Sequence, residues 1–132
     1  MDKKIPAGTW VVVADGSGAR VFRNVGSDSA LALKQEALLE PEELLDDGPS
    51  GSMPVEQSAG HVDEATFAKQ LAQRINAAAL KQRFAHLVLV ADPQTLGQMR
   101  PLLHKETTQR LLGEIGKTLT NSPLEDIERA LG

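Results

Sequence analysis

Two short apolar segments constrain the fold of this chain more than any other feature. Residues 10–15 read Trp-Val-Val-Val-Ala-Asp, and residues 86–93 read His-Leu-Val-Leu-Val-Ala-Asp-Pro. Neither segment alternates apolar with polar residues, which is typical of strands that are buried on both faces of a sheet. Because a long helical pattern separates the two segments, they are predicted to form a parallel pair at the centre of an α/β sheet.

The remaining elements follow from turn residues and apolar spacing. A Gly-rich turn after Asp15 leads into alternating residues, which predicts a hairpin. Asp63 and Ser122 are predicted helix N-caps, and Pro101 is expected to kink the second helix. The predicted strands are residues 10–15, 20–24, 31–38, 86–91 and 111–115, and the predicted helices are residues 63–83, 95–106 and 121–131.

The order βββαβαβα is that of a ribonuclease H-like α/β domain with three layers. It predicts a mixed five-stranded sheet with the strand order 3-2-1-4-5, formed by one domain over residues 1–132. Residues 40–62 are the least regular part of the chain, with an acidic run at 40–47 followed by Gly, Pro and Ser. A loop of this length is usually functional or disordered, so we expect it to be flexible.

Composition narrows the classes of function. The net charge of −4 argues against a generally basic nucleic-acid binder, but residues 67–132 carry nine basic and six acidic side chains. A basic face on the C-terminal helices is therefore expected. The chain has no Cys, which excludes disulfides and thiolate metal sites. It shows no apolar stretch long enough for membrane insertion and no signal peptide, so a cytoplasmic protein is expected.

Asp15 and Asp92 are the first candidates for chemistry. Each follows one of the two central strands, at the edge where open α/β sheets place their sites. Paired carboxylates there could bind a divalent metal, with Glu114 as the only further candidate on the fifth strand. The structural alternative is that Asp15 begins a turn and Asp92 caps a helix. No motif indicates a cofactor, and nothing in the sequence indicates an oligomeric state.

Basic side chains are the second set of candidates, because they could bind phosphates. They are Arg20, Arg23, Arg100, Lys105, Arg110 and Lys117. Arg20 begins the second strand beside Asp15, so an Asp15–Arg20 pair that braces the hairpin is the structural alternative. The predicted ligand-binding set is Asp15, Arg20, Asp92, Arg100 and Lys117.

The order and spacing of several motifs resemble those of the host-attachment proteins of proteobacteria, the family described as "protein required for attachment to host cells". The matching segments are residues 10–15, 19–23, 67–72, 84–91, 96–100 and 114–120. This family is distantly similar to the middle domain of archaeal and eukaryotic-type peptide-release factors. The resemblance implies a ribonuclease H-like fold and a link to ribosomes or tRNA.

Release factors act through a Gly-Gly-Gln loop, and no such tripeptide occurs in this chain. The nearest match is Gly97-Gln98, inside a predicted helix. The resemblance therefore does not imply hydrolysis of peptidyl-tRNA. The leading hypothesis is a non-enzymatic cytoplasmic binding protein that associates with RNA or the ribosome. Two alternatives stay open: a metal-dependent nuclease or hydrolase that uses Asp15 and Asp92, and a protein-interaction module in attachment or its regulation.

Overall fold

A computed structural model describes residues 5–27, 30–39 and 64–131 of the chain. The predicted loop at residues 40–62 and the predicted N-cap Asp63 lie outside these residues. The strands are β1 (Trp10–Asp15), β2 (Gly18–Asn24), β3 (Leu33–Leu39), β4 (Leu87–Ala91) and β5 (Leu111–Ile115). The helices are α1 (Glu64–Leu80), α2 (Pro93–Met99), α3 (Lys105–Arg110) and α4 (Leu124–Leu131), with a 3₁₀ turn at Arg100–Leu102.

The five strands form one mixed sheet in the order β3-β2-β1-β4-β5, as predicted from the sequence. β1 pairs antiparallel with β2 and parallel with β4, so the two apolar segments are neighbours at the centre. A parallel pair needs a crossover connection, and α1 lies within it. All five residues of β4 are buried, because helices cover both faces of the sheet there.

Alternation along the central strand divides the core into two layers. Val12 belongs to the layer that contains Phe67 of α1, while Val13 belongs to the layer that contains Ile127 of α4. These four side chains are fully buried. The molecule therefore has the three layers predicted for a ribonuclease H-like domain, with α1 and α2 on one face of the sheet and α4 on the other.

The single helix predicted over residues 95–106 is wrong. The chain forms α2, the 3₁₀ turn and α3 in succession, and no one helix runs through this stretch. Pro101 cannot donate a backbone hydrogen bond, and Leu103 is extended with a ψ of 129°. His104 then starts a new helix, since its Nδ1 accepts a hydrogen bond from the Glu106 N–H at 3.1 Å.

The last helix begins at Leu124, a little later than the cap predicted at Ser122. The strand boundaries differ from the predicted ones by at most two residues, as is usual for element ends. Among the described residues, no helix is both long and apolar enough to cross a membrane.

Candidate functional site at the carboxyl edge of the sheet

The ends of β1 and β4 define one edge of the sheet, called here the carboxyl edge. Ala14 and Ala91 are paired in the parallel ladder, and Asp15 and Asp92 directly follow them. The topology thus brings both predicted carboxylates to the same edge. What they can do depends on the partners that each carboxylate already has.

Asp92 is the N-cap of α2. Its Oδ2 accepts a hydrogen bond from the Thr95 N–H at 3.1 Å, and its Oδ1 accepts one from the Thr95 hydroxyl at 2.7 Å. Pro93 occupies the first turn, where its missing N–H removes no helical hydrogen bond. Both oxygens of Asp92 are therefore engaged locally, which is the structural alternative that the sequence left open.

Asp15 connects two distant parts of the chain. Its Oδ1 accepts hydrogen bonds from the backbone N–H and the hydroxyl of Ser17, at 2.7 and 2.8 Å. Its Oδ2 accepts a hydrogen bond from the Thr120 hydroxyl at 2.7 Å. Thr120 lies in the segment that precedes α4. Asp15 therefore holds the hairpin turn and this C-terminal segment together.

These contacts set the ionisation of Asp15. Partial burial by itself would raise the pKa of its carboxyl group. The hydrogen bonds from Thr120 and Ser17, with a contribution from the Gly18 backbone, outweigh burial and hold this pKa below its ordinary value. Asp15 is therefore an anion near neutral pH, and its charge is satisfied by donors of the protein itself.

The Arg20 side chain binds the backbone of the same C-terminal segment. Its Nη1 donates to the carbonyl oxygens of Thr120 at 3.1 Å and Ser122 at 2.8 Å. Its Nε donates to Gln35 at 2.9 Å, and its guanidinium lies 4.9 Å from the centre of the Phe22 ring. The guanidinium is thus fixed on four sides.

The structural alternative of a direct Asp15–Arg20 pair is replaced by an arrangement of three residues. Asp15 binds the hydroxyl of Thr120, and Arg20 binds the carbonyl of the same residue. The two charged side chains therefore act through the segment at residues 119–122 rather than by direct contact. This arrangement fixes the approach to α4.

The other predicted phosphate-binding residues differ in availability. Arg100 forms an ion pair with Glu114, with 2.7 Å between its Nη2 and the carboxylate Oε1. Lys117 is exposed, and it makes no hydrogen bond or ion pair with a described residue. Of these two residues, Lys117 therefore has a side-chain charge that no described residue pairs and that an external anion could contact.

The described residues contain no cluster of three or more His, Asp or Glu side chains that could hold a metal ion. Glu114 is paired with Arg100, and the four oxygens of Asp15 and Asp92 all accept hydrogen bonds. A hydrolytic site with two metal ions needs carboxylates whose oxygens can reach the metal. The arrangement at the carboxyl edge favours a structural role for both Asp residues.

Thr120 is the residue of this site that the sequence did not reveal. Its contact with Asp15 joins residues 105 positions apart, so no local spacing signals it. The contact of Asp15 with Ser17 is different, because an Asp that bonds two residues onward is a common turn pattern.

A model of the bacterial archaeo-eukaryotic release factor family 12 matches residues 8–131 of the chain. The match starts before β1 and ends with the last residue of α4, so it includes every described strand and helix. No curated protein matches the sequence.

Proposed function

The chain belongs to the bacterial archaeo-eukaryotic release factor family 12, and from this we propose that it is a non-enzymatic binding protein associated with RNA or the ribosome. The family name supports the release-factor-like part of the resemblance seen in the sequence. A cytoplasmic location fits this role and is part of the proposal. Kinship with the host-attachment proteins stays a prediction that rests on the sequence motifs.

The observation that carries the proposal is that the carboxylates at the carboxyl edge are hydrogen-bonded within the protein. Asp15 and Asp92 each accept hydrogen bonds on both oxygens, so both carboxylates already have partners within the fold. The chain also lacks the Gly-Gly-Gln tripeptide through which release factors act. These features support binding rather than hydrolysis.

Within this proposal, Lys117 is the phosphate contact at the carboxyl edge. Lys117 lies in the stretch between β5 and α4, three residues before Thr120. Asp15 and Arg20 are positioning residues, because they hold Thr120 and thereby the stretch that carries Lys117. Removal of Arg20 is expected to disturb the stretch as well as the local charge, so Lys117 gives the cleaner test.

The test is binding of a fluorescent RNA hairpin at several salt concentrations. Wild type should bind at low salt, with log K falling linearly as log salt rises. Lys117→Ala should reduce this slope by about one unit, because one phosphate contact is lost. Lys34→Ala is the matched control, since Lys34 is an exposed lysine on β3, away from this edge.

Two outcomes would replace the proposal with its alternatives. Absence of RNA binding at low salt would favour a protein-interaction module. RNA cleavage that needs Mn²⁺ and disappears in Asp15→Asn would favour a metal-dependent nuclease that uses Asp15 and Asp92.

A further inference from the structure

We propose that the outward face of α1, together with the turn that follows it, binds double-helical RNA through the phosphates. This inference rests on the proposed function and identifies a second surface and a class of RNA for it. The α1 face consists of Lys69, Gln73, Ala77, Leu80, Lys81, Gln82 and Arg83, all of which are exposed.

The α1 face, as defined by its seven residues, carries Lys69, Lys81 and Arg83 and no carboxylate. Residues 65–91 contain four Lys or Arg residues and no carboxylate. The side chains of Lys69, Lys81 and Arg83 make no hydrogen bond or ion pair with a described residue. Lys69 and Lys81 are separated by about 18 Å along the helix axis, at about 1.5 Å per residue. The face therefore presents a row of three cations with no partner in the described part of the chain, over a length at which a nucleic-acid backbone presents several phosphates.

The opposite layer has the reverse charge. α4 carries three carboxylates and one basic residue, Arg129, which pairs with Asp126 at 3.2 Å. The cations of α1 therefore lie on the face of the sheet opposite the one that carries the carboxylates of α4. Such segregation orients a polyanion towards the α1 face.

The end of α1 adds an independent observation. The Gln82 N–H donates to Ala79 O and the Arg83 N–H to Ala78 O, both at 3.0 Å, which is the Schellman arrangement that closes many helices. Gln82 has a φ of 57°, in the left-handed region where Gly is favoured. The chain thus retains an exposed amide side chain between two cations at a position where Gly would be less strained. A residue that is conformationally unfavourable at an exposed turn fits a role in ligand contact better than a role in stabilising the fold.

The apolar content of this face argues against a protein partner. Leu80 is 56% exposed, and Ala77 is its only apolar neighbour on the α1 face. Protein interfaces bury a larger apolar centre that includes several side chains. A single leucine among cations fits a backbone-binding surface better than the centre of a protein interface.

Aromatic placement indicates the class of RNA. The chain has one Trp, three Phe and no Tyr. The Phe residues are buried in the core, and Trp10 packs on Phe84 with 4.9 Å between ring centres. Recognition of unpaired bases relies on exposed aromatic rings, whereas double-helical RNA is recognised mainly through its backbone and shape. Because the α1 face carries cations and no aromatic side chain, double-helical RNA is the ligand that it fits better.

The α1 face and Lys117 can be tested separately. α1 ends shortly before β4 begins, so Lys81, Gln82 and Arg83 lie near the edge where β1 and β4 start, opposite the carboxyl edge. The double variant Lys81→Ala/Arg83→Ala removes two charges from the α1 face. The matched control Lys34→Ala/Arg129→Ala removes two charges from β3 and α4. Melting temperatures confirm that both variants are folded.

The experiment measures binding of a fluorescent RNA duplex of about 20 base pairs between about 50 and 200 mM salt. Lys81→Ala/Arg83→Ala should weaken binding by about tenfold at the low-salt end and reduce the salt slope by about two units. The control variant should change affinity less than about twofold.

The outcomes distinguish the two proposals. Duplex binding by wild type that Lys81→Ala/Arg83→Ala leaves unchanged would overturn the inference and leave the proposed function standing. Absence of binding to any RNA at low salt would overturn both. Tighter binding of single-stranded RNA than of the duplex, or of a polyglutamate peptide than of either RNA, would overturn the assignment of a duplex to this face.

Discussion

At the carboxyl edge, Asp15, Arg20 and Asp92 bond to atoms of the protein itself. On the α1 face, the side chains of Lys81 and Arg83 have no such partner among the described residues. Both regions carry charge on the ends of secondary-structure elements. They differ in whether that charge is already compensated within the fold.

The difference shows how strand-end carboxylates should be interpreted. Asp15 and Asp92 attract attention in the sequence, because they end the two most distinctive strands. In the structure, Asp92 caps a helix, while Asp15 stabilises a turn and binds Thr120 in the distant segment before α4. Lys81 and Arg83 follow an alanine-rich helix with no distinctive motif, yet no described residue pairs with their side-chain charges.

The largest expected effect of a substitution is that of Asp15→Ala. The substitution removes three hydrogen bonds to the Asp15 carboxylate. Because this carboxylate is partly exposed to solvent, the loss should lower the free energy of unfolding by only about 1–2 kcal/mol. Loss of the Thr120 contact should also increase amide hydrogen exchange at residues 116–123. Urea denaturation and hydrogen-exchange mass spectrometry measure the two effects.

Thr118→Val is a suitable control for this prediction, because Thr118 is an exposed threonine two residues from Thr120 and has no described partner. Thr120→Val should reproduce the hydrogen-exchange effect of Asp15→Ala, and Thr118→Val should not. Equal exchange in wild type and Asp15→Ala would mean that Asp15 does not hold the segment.

Most of the fold could be predicted from the sequence, because it depends on local apolar patterns. The unbroken runs at residues 10–15 and 86–91 were sufficient to place the central parallel pair. The break between α2 and α3 is not evident from the sequence, because Pro101 by itself indicates only a kink and the cap supplied by His104 has no strong sequence signal.

The site was predicted only in part for a physical reason. The topology brings Asp15 and Asp92 to one edge, as the sequence indicated. Whether their oxygens are free depends on Thr95 nearby and on Thr120 far along the chain. A contact across 105 positions is set by tertiary packing, and neither spacing nor composition encodes it locally.

The second prediction uses the ionisation of Asp15. Because its pKa is lowered in the folded protein, this group contributes stability that is fully present above the unfolded pKa of about 4. That contribution is lost as the pH falls through the lower folded pKa. The difference in stability between wild type and Asp15→Asn should be constant from pH 7 to about pH 5 and shrink in more acidic solution. A difference that grows on acidification has the wrong sign for this account.

A smaller effect is expected at the neighbouring strand end. Asp92→Ala removes the N-cap of α2 and should cost about 1 kcal/mol of stability. Asp92→Ser keeps a capping oxygen and should cost less. Because the cap is local, neither variant should change hydrogen exchange at residues 116–123, in contrast to Asp15→Ala. A shared response would indicate that the two carboxylates act as one unit.

The smallest effect is expected at the end of α1, and it has the opposite sign. Gln82→Gly relieves a left-handed backbone conformation but also increases the freedom of the unfolded chain. The net result should be stabilisation by about 0.5 kcal/mol, measured by thermal unfolding. In the same variant, RNA affinity should fall, since the exposed amide is lost. A gain in stability with unchanged affinity would show that Gln82 has no part in binding.

The most direct test of the contrast between the two regions is an NMR titration of isotope-labelled protein with the RNA duplex. The backbone signals of Lys69 and residues 80–83 should shift and saturate. The amides of Ser17 and Thr95, which donate to Asp15 and Asp92, should stay unchanged because those carboxylates serve the fold. Saturable shifts at Ser17 and Thr95, with the signals of residues 80–83 unmoved, would contradict the account, because the two carboxylates rather than the α1 face would then take part in binding.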